Sequence, residues 1–222
     1  MCMCLLRGYG IIISKYMQEI NTIFYVIVLI MSVVVHEVSH GYAAYFLGDQ
    51  TAKMQGRLTL NPIKHLDLWG SVLIPLIFVL SQTGFIFGWA KPVPFNPANL
   101  RDKKWGTLIV AAAGVAANLC IAIIFGLLIR FSYAYGVANE SFLFIASTIV
   151  LVNIVLAIFN LVPIPPLDGS KIFFSLLPAR FRHIEIFMER YALVLLLVFV
   201  FVLWRYVAPI VYLLFSLFTG MQ

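Results

Sequence analysis

Charged residues are scarce in this sequence, and their scarcity excludes an ordinary soluble domain. Of 222 residues, 11% are charged and 63% are hydrophobic, whereas soluble domains average about 25% and roughly 45–50%. Cysteine is also rare, since only Cys2, Cys4 and Cys120 occur. Cys2 and Cys4 lack the second pair that a zinc knuckle needs, and Cys120 lies in an apolar block, where a thiol behaves as a small hydrophobe. Internal repeats and low-complexity linkers are absent as well, so the sequence predicts one compact domain in a membrane.

Basic residues outnumber acidic ones, but their positions do not indicate a nucleic-acid partner. The net charge is +6, and most Lys and Arg residues lie between the long apolar blocks. Positively charged loops of this kind are typical of the cytoplasmic side of a membrane, beside anionic lipid. We therefore expect the lipid bilayer as a partner and expect no nucleic acid.

Four apolar blocks are long enough to cross a bilayer as helices, which requires about 20 residues. They are Ile20–Leu47, Thr107–Phe131, Phe142–Val162 and Tyr191–Phe218. A fifth block, Ser71–Trp89, contains Pro75 and is interrupted by "SQTG". Its clean apolar run is only about ten residues, a length that suits a re-entrant or interfacial segment. The predicted fold is an all-α polytopic membrane protein with about four transmembrane helices and a re-entrant or short membrane segment.

The stretch "SVVVHEVSHGYAAYF" places ionisable groups in the middle of the first apolar block. A charged side chain at the centre of a transmembrane helix costs about 2.5–3.5 kcal/mol on insertion scales, so such residues usually have a function. Residues four apart lie on one helix face, so His36 and His40 can bind one metal ion while Glu37 reaches a water on that ion. Zinc held by three protein ligands keeps a fourth position for water, which is chemistry suited to peptide hydrolysis.

Asp168 is the strongest candidate for a third metal ligand. It follows an apolar block in "NLVPIPPLDGS", where the prolines exclude a regular helix and Gly169 allows a sharp turn. An ordinary Asp-Gly turn would account for the same dipeptide. The other candidates lie in basic or charged segments, where we expect solvated surface residues: His65, His183, Glu185 and Glu189.

Four motifs occur in an order that resembles one known family. They are "HEVSH", "GWAKPVPFNP", "AAAGVAANL" and "NLVPIPPLDG". Over about Ile20 to Leu177 they resemble the site-2 protease family of intramembrane zinc metalloproteases, peptidase family M50, in its small prokaryotic branch without a PDZ domain. The resemblance implies a multi-pass protein of a prokaryotic cell membrane. It also implies a metalloendopeptidase of the HExxH type that hydrolyses peptide bonds in or near transmembrane helices of membrane-anchored substrates.

The resemblance further implies roles for individual residues. One zinc ion per chain, buried between helices, would be bound by His36, His40 and Asp168. Glu37 would activate the water that attacks the peptide. Asn160 would position the scissile peptide or its oxyanion, and Asn118, in "GVAANL", matches a polar position beside the site and is also expected to position substrate. Val115 stands where the family usually has Pro, which changes the helix shape and touches no ligand.

A second hypothesis is a non-proteolytic relative that binds zinc, or retains client helices, without cutting them. Glu37 distinguishes the two, because storage or transport of zinc needs no general base beside the ligands. We expect residues 20–222 to form the protease domain and residues 1–19 to form an N-terminal extension, with Met17 as an alternative start. The sequence indicates neither the identity of the substrate nor an oligomeric state.

The distribution of basic residues predicts the topology. The segment between the second and third spans has no Lys or Arg after Arg130, so it is expected outside, which places the basic loops and Asp168 toward the cytoplasm. Ser71–Trp89 would then enter and leave by the same face, and the N-terminus would lie outside. In the last block, Arg205 is expected to mark the outer interface, and Ile210–Phe218 is expected to form an interfacial tail.

Overall fold

The computed structural model describes residues 2–73 and 90–221. These residues contain helices and no strand, so the predicted all-α fold is confirmed. The α-helices are α1 (Cys2–Phe46), α2 (Thr51–Met54), α3 (Lys103–Ala134), α4 (Glu140–Asn160), α5 (Asp168–Leu176), α6 (Arg182–Arg190), α7 (Ala192–Val198) and α8 (Trp204–Thr219). Short 3-10 helices cover Pro62–His65, Pro97–Asn99 and Ala179–Phe181, and π-helical turns cover Leu68–Leu73 and Phe199–Leu203.

Within the described residues, four helical segments are long and apolar enough to cross a membrane, as the sequence predicts. They are Thr22–Phe46, Lys103–Ala134, Glu140–Asn160 and Ala192–Thr219. The last segment combines α7, the second π-helical turn and α8. The predicted re-entrant segment, Ser71–Trp89, lies outside the described residues after Leu73.

α3 and α4 form a helical hairpin whose ends follow from the local sequence. The Asp102 carboxylate caps α3 by accepting hydrogen bonds from two backbone N–H groups of its first turn, each at 2.8 Å. After α3, Gly136 adopts a left-handed φ of 66°, which glycine does at little cost. Asn139 then caps α4 by accepting from the N–H of Phe142 at 2.8 Å. A connection this short makes the two helices antiparallel neighbours.

The core of the bundle lies where α3, α4 and α8 meet. Its buried side chains are small or branched aliphatic ones, and they are Ala122, Ile129, Ala146, Val150, Ile154 and Val211. A Cβ on Gly126 of α3 would lie 2.8 Å from the Cβ of Phe218 on α8. Small residues at such contacts let membrane helices approach closely and gain dispersion contacts.

α8 lies beside α3 and runs between the two ends of the bundle. At the start of α8, Trp204 packs against Phe159, next to the last residue of α4, with ring centroids 6.2 Å apart. At the end of α8, the Arg130 side chain donates to the carbonyl of Phe218 at 2.9 Å. Since Arg130 lies near the end of α3, α8 passes from the C-terminal end of α4 to the C-terminal end of α3.

This course corrects one expectation for the last span and conflicts with another. Ile210–Phe218 is part of the span and not an interfacial tail, because α8 continues as a helix through Pro209. Arg205 lies at the end of α8 that adjoins the C-terminal end of α4, which the sequence predicts to face the cytoplasm, so its expected position at the outer interface conflicts with the predicted topology. A proline removes one helical hydrogen bond, and a transmembrane helix packed against neighbours tolerates that loss.

Candidate metal centre

Three of the predicted site residues converge although they are far apart in sequence. His36 and His40 lie one turn apart on α1, and Asp168 is the first residue of α5. The two histidine Nε2 atoms are 3.0 Å apart, and Asp168 Oδ2 lies 3.0 Å from His36 Nε2 and 2.9 Å from His40 Nε2. All three side chains are buried. One ion can therefore contact all three donor atoms at once.

Hydrogen bonds on the far sides of the imidazole rings determine which nitrogen faces the centre. His40 Nδ1 lies 2.6 Å from the carbonyl oxygen of Val110, and His36 Nδ1 lies 2.6 Å from Oδ1 of Asn118. These oxygens only accept, so each Nδ1 carries a proton, and in its neutral form each ring presents the lone pair of Nε2 to the centre. Two lone pairs and a carboxylate oxygen repel one another at these distances unless a cation lies between them, so the donor set fits a metal ion.

A chain of amide groups fixes the orientation of the Asn118 side chain. Asn153 Nδ2 donates to the backbone carbonyl of Ile149 at 2.9 Å and to Ser32 Oγ at 3.0 Å. Because a backbone carbonyl cannot donate, Asn153 Oδ1 must face Asn118, whose Nδ2 donates to it at 2.8 Å. Asn118 Oδ1 is then the atom that faces His36. Both asparagines are fully buried.

Gly114 gives the two histidines the space they occupy against α3. A Cβ at this position would lie 2.6 Å from His40 Nε2 and 2.7 Å from His36 Nε2, closer than any real contact allows. The glycine of the "AAAGVAANL" motif thus permits the close approach of α1 and α3, and Asn118, one turn further along, contacts the same ring system.

Asp168 and Gly169 do not form an ordinary Asp-Gly turn, so that interpretation of the dipeptide is wrong. Gly169 lies in the first turn of α5 and does not have a positive φ. A Cβ on Gly169 would overlap the carbonyl oxygen of Leu161, just after α4. The glycine therefore allows α5 to begin against the end of α4, and this contact positions Asp168 beside α1.

The carboxylate of Asp168 also contacts a cation at the edge of the centre. Lys171 Nζ donates to Oδ1 at 3.1 Å, and the lysine side chain is 42% exposed. Burial raises the pKa of Asp168, and the positive charge of Lys171 lowers it. Asp168 is therefore available as an anionic ligand at neutral pH.

Glu37 lies beside the converging donor atoms without joining them. Its Oε2 accepts a hydrogen bond at 2.8 Å from the backbone N–H of Val93, in the "GWAKPVPFNP" motif. Sequence analysis identified Glu37 from the HExxH spacing but gave no indication of this contact, which joins residues 56 positions apart. The contact leaves Oε1 as the oxygen that can take up a proton.

A cavity of about 1020 Å³ opens over the donor atoms. Glu37 and Asn160 line it together with the three predicted ligands, whereas the buried Asn118 lies behind His36. Residues of α6 and α7 also contribute to its wall: Glu185, Glu189, Leu193 and Leu196. Sequence analysis interpreted the two glutamates as part of a solvated helix face and did not indicate that they would lie in the same cavity as Glu37.

His65 is buried, so its predicted position on the solvated surface is wrong. Its Nε2 lies 2.8 Å from the carbonyl oxygen of Thr59, and its own carbonyl accepts from the N–H of Lys91 at 2.8 Å. These bonds hold the loop after α2 against Lys91, and the ring is enclosed. His183 is exposed, as predicted.

Comparison with known proteins reveals similar proteins in bacteria. A family model described as "Peptidase family M50" matches residues 128–203. "Putative zinc metalloprotease YwhC" of Bacillus subtilis (strain 168) is 40% identical over 183 residues, which cover 79% of this chain and 78% of that protein. "Putative zinc metalloprotease Rip2" of Mycolicibacterium smegmatis (strain ATCC 700084 / mc(2)155) is 34% identical over 143 residues, or 63% of this chain and 52% of that protein. No solved structure matches the chain.

Proposed function

Because this chain belongs to peptidase family M50 and is a multi-pass intramembrane zinc metalloprotease, we propose that its zinc is bound by His36, His40 and Asp168 and that Glu37 is the general base. The observation that supports this assignment is the convergence of three ligand atoms, all within 4.8 Å of one another, in a cavity that Glu37 also lines. We further propose that the enzyme is an endopeptidase of the HExxH type.

The donor set suits zinc in a catalytic site. Two neutral imidazoles and one carboxylate are the three protein ligands of many hydrolytic zinc sites, which keep a further position open. A zinc ion bound there would lower the pKa of a water molecule to near 7 and would polarise the carbonyl of a substrate. Asn118 and the Val110 carbonyl hold the two rings so that both Nε2 lone pairs face inward.

Glu37 transfers protons in this mechanism. Its Oε1 takes a proton from the attacking water, and the water oxygen forms a bond to the carbonyl carbon of the scissile peptide. The same carboxyl group then gives its proton to the amide nitrogen as the carbon–nitrogen bond breaks, so that an amine leaves. The Val93 N–H on Oε2 keeps the carboxylate facing the cavity through both transfers.

The substrates that fit the cavity are unwound segments of transmembrane helices. A helix hides its peptide groups in internal hydrogen bonds, so a segment must lose them before Glu37 can act on a peptide, and helix-weakening residues in the substrate should favour cleavage. Asn160 lines the cavity and donates Nδ2 to the Leu156 carbonyl at 3.0 Å. We assign it to positioning the substrate backbone. Asn118 has protein partners for both Oδ1 and Nδ2, so we propose that it orients His36 and does not contact the substrate directly.

Substitution of Glu37 by Gln tests this function. The substrate would be a single-span fusion protein whose transmembrane helix contains Gly and Pro, chosen from a panel as one that the wild-type enzyme cleaves. We expect purified E37Q to retain one zinc per chain and to lose cleavage, because Gln cannot take up the proton. Cleavage at the wild-type rate with verified zinc would overturn the assignment. A non-proteolytic relative would cleave no member of the panel with Glu37 intact.

A further inference from the structure

The segment "KPVPFN", residues 91–96, lies beside Glu37 and has few backbone donors. Proline has no N–H, so within Pro92, Val93 and Pro94 only Val93 can donate a backbone hydrogen bond. That single donor is bound to Glu37 Oε2 at 2.8 Å. The position of one peptide group in this segment therefore determines the orientation of the proposed general base.

Arg57 holds the start of this segment. Its side chain is 8% exposed, and its Nη2 donates to the carbonyls of Lys91 at 2.9 Å and Pro92 at 3.2 Å. Its Nη1 donates to the carbonyl of Lys64 in the preceding loop. A planar guanidinium can hold several carbonyls in a fixed arrangement, whereas the ammonium group of lysine is a flexible point charge and cannot.

Two further contacts restrict the same segment. Asp49, which is fully buried, accepts from the N–H of Asn96 at 2.6 Å and so holds the other end. In the middle, a Cβ on Gly41 would lie 2.8 Å from Cγ1 of Val93. Because Gly41 lies one turn after Glu37 on α1, its lack of a side chain lets Val93 pack directly onto the helix that presents the general base.

From these contacts we infer that Arg57 is a positioning residue for Glu37, an inference that rests on the proposed role of Glu37 as general base. A buried guanidinium costs free energy unless its donors are used, and here both Nη groups donate to carbonyls, while Nε has no partner among the described residues. Here Nη2 binds the two carbonyls that immediately precede Val93, and this fixes the Val93 N–H against one oxygen of the carboxylate. Without the clamp the carboxylate can rotate, and a misplacement of about 1 Å in a catalytic group costs on the order of 10²-fold in rate.

The first test is the kinetics of Arg57→Lys with the single-span fusion protein as substrate. We expect a normal zinc content, an unchanged KM and a kcat lowered by about tenfold to a hundredfold. Arg101→Lys is the matched control, because Arg101 is an exposed arginine of a neighbouring loop, and it should leave kcat unchanged. E37Q, measured in parallel, separates this inference from the function itself. If E37Q is inactive and R57K has the wild-type kcat, the positioning role is overturned and the function stands.

The second test is a double-mutant cycle with Val93→Pro, which removes the N–H while keeping the backbone extended. If Arg57 acts through that N–H, V93P lowers kcat without changing KM, and R57K adds little to the loss in the double variant. Independent, multiplicative losses would show that Arg57 acts by another route and would overturn the inference. If R57K does not fold, V93P decides alone: a normal kcat in that variant overturns the inference.

Discussion

Oδ1 of Asn118 accepts a hydrogen bond from Nδ1 of His36 at 2.6 Å, across 82 residues of sequence. The bond joins the helix that carries the proposed zinc ligands to the core hairpin, because Asn118 is in turn held by Asn153 of α4. The geometry of the metal centre thus depends on the packing of three transmembrane helices. We therefore expect residues that bind no metal to contribute to metal affinity.

Asn118→Leu should lower zinc affinity by about tenfold to a hundredfold, the usual effect of removing the partner of a metal-binding histidine. Leu leaves the His36 Nδ1–H without its acceptor and frees the ring to rotate. Asn153→Leu leaves Asn118 Oδ1 in place and should have a smaller effect. Competition with a zinc chelator measures both affinities. Wild-type affinity in N118L would show that the contact does not support the metal.

Gly114→Ala should displace both imidazoles and reduce zinc content, since the new methyl group would lie 2.6 Å from His40 Nε2 and 2.7 Å from His36 Nε2. Gly106→Ala on the same helix is the control, because its methyl would meet only side-chain carbons of Leu100, at 3.1 Å or more. Metal analysis of the purified variants distinguishes them. Equal zinc content in the two variants would contradict the close approach of α3 to the histidines.

Asp168→Ala should lose bound zinc, because two histidines alone leave the ion without its third protein ligand. Asp102→Ala is a suitable control, since that carboxylate caps α3 and has no contact with the centre. We expect D102A to retain one zinc per chain and D168A to retain little. If metal content were unchanged in D168A, another ligand would have to replace Asp168.

Asp49→Asn should destabilise the protein in a way that depends on pH. Burial raises the pKa of Asp49, but hydrogen bonds from Thr51, Asn99 and Asn96 lower it below the ordinary value of 3.8. Above pH 3.8, the ordinary pKa, the carboxylate contributes its full stabilisation of the fold, which we expect to be about 1–3 kcal/mol. This contribution disappears as the pH falls through the lower pKa of the folded state. Thermal unfolding of chelator-treated protein should show a constant difference in Tm between D49N and wild type from about pH 8 to about pH 5. The difference in Tm should become smaller below pH 3.8. A difference in Tm that does not change with pH would contradict this account.

The predicted topology can be tested by cysteine labelling in intact cells, in a background that lacks Cys2, Cys4 and Cys120. Lys53→Cys and Lys103→Cys should resist a membrane-impermeant reagent, because both basic loops are expected in the cytoplasm. Ala138→Cys, in the connection between α3 and α4, should react and serves as the positive control. Labelling of either lysine position from outside would overturn the assignment of Ser71–Trp89 as a segment that enters and leaves by one face.

The features that depend on a local sequence pattern could be predicted. Apolar runs of sufficient length gave four spans, and the spacing of His36 and His40 on one helix face indicated a metal site. The course of α8 was not predictable, because Arg205 and Pro209 resemble interface and breaker signals. The contacts of Trp204 with Phe159 and of Phe218 with Arg130 establish it.

Contacts between distant loops were equally invisible in the sequence. Arg57 looks like one more basic residue of a cytoplasmic loop, but its buried side chain binds the carbonyls of Lys91 and Pro92. His65 was expected at the surface for the same reason. A polar side chain can be buried where the fold brings backbone hydrogen-bond partners to it. Residue type and neighbours along the chain do not indicate which partners those are.

The neutral amide at position 118 has a consequence for the electroneutrality of the centre. With both imidazoles neutral, Asp168 and Glu37 bear two negative charges, which match the two positive charges of a zinc ion. Lys171, whose side chain is 42% exposed, adds a positive charge at the margin, where it contacts Asp168. A carboxylate at position 118 would place a further negative charge, fully buried, behind His36, and a low-dielectric interior tolerates such a charge poorly. The amide of Asn118 therefore orients His36 without adding a charge to the buried side of the centre.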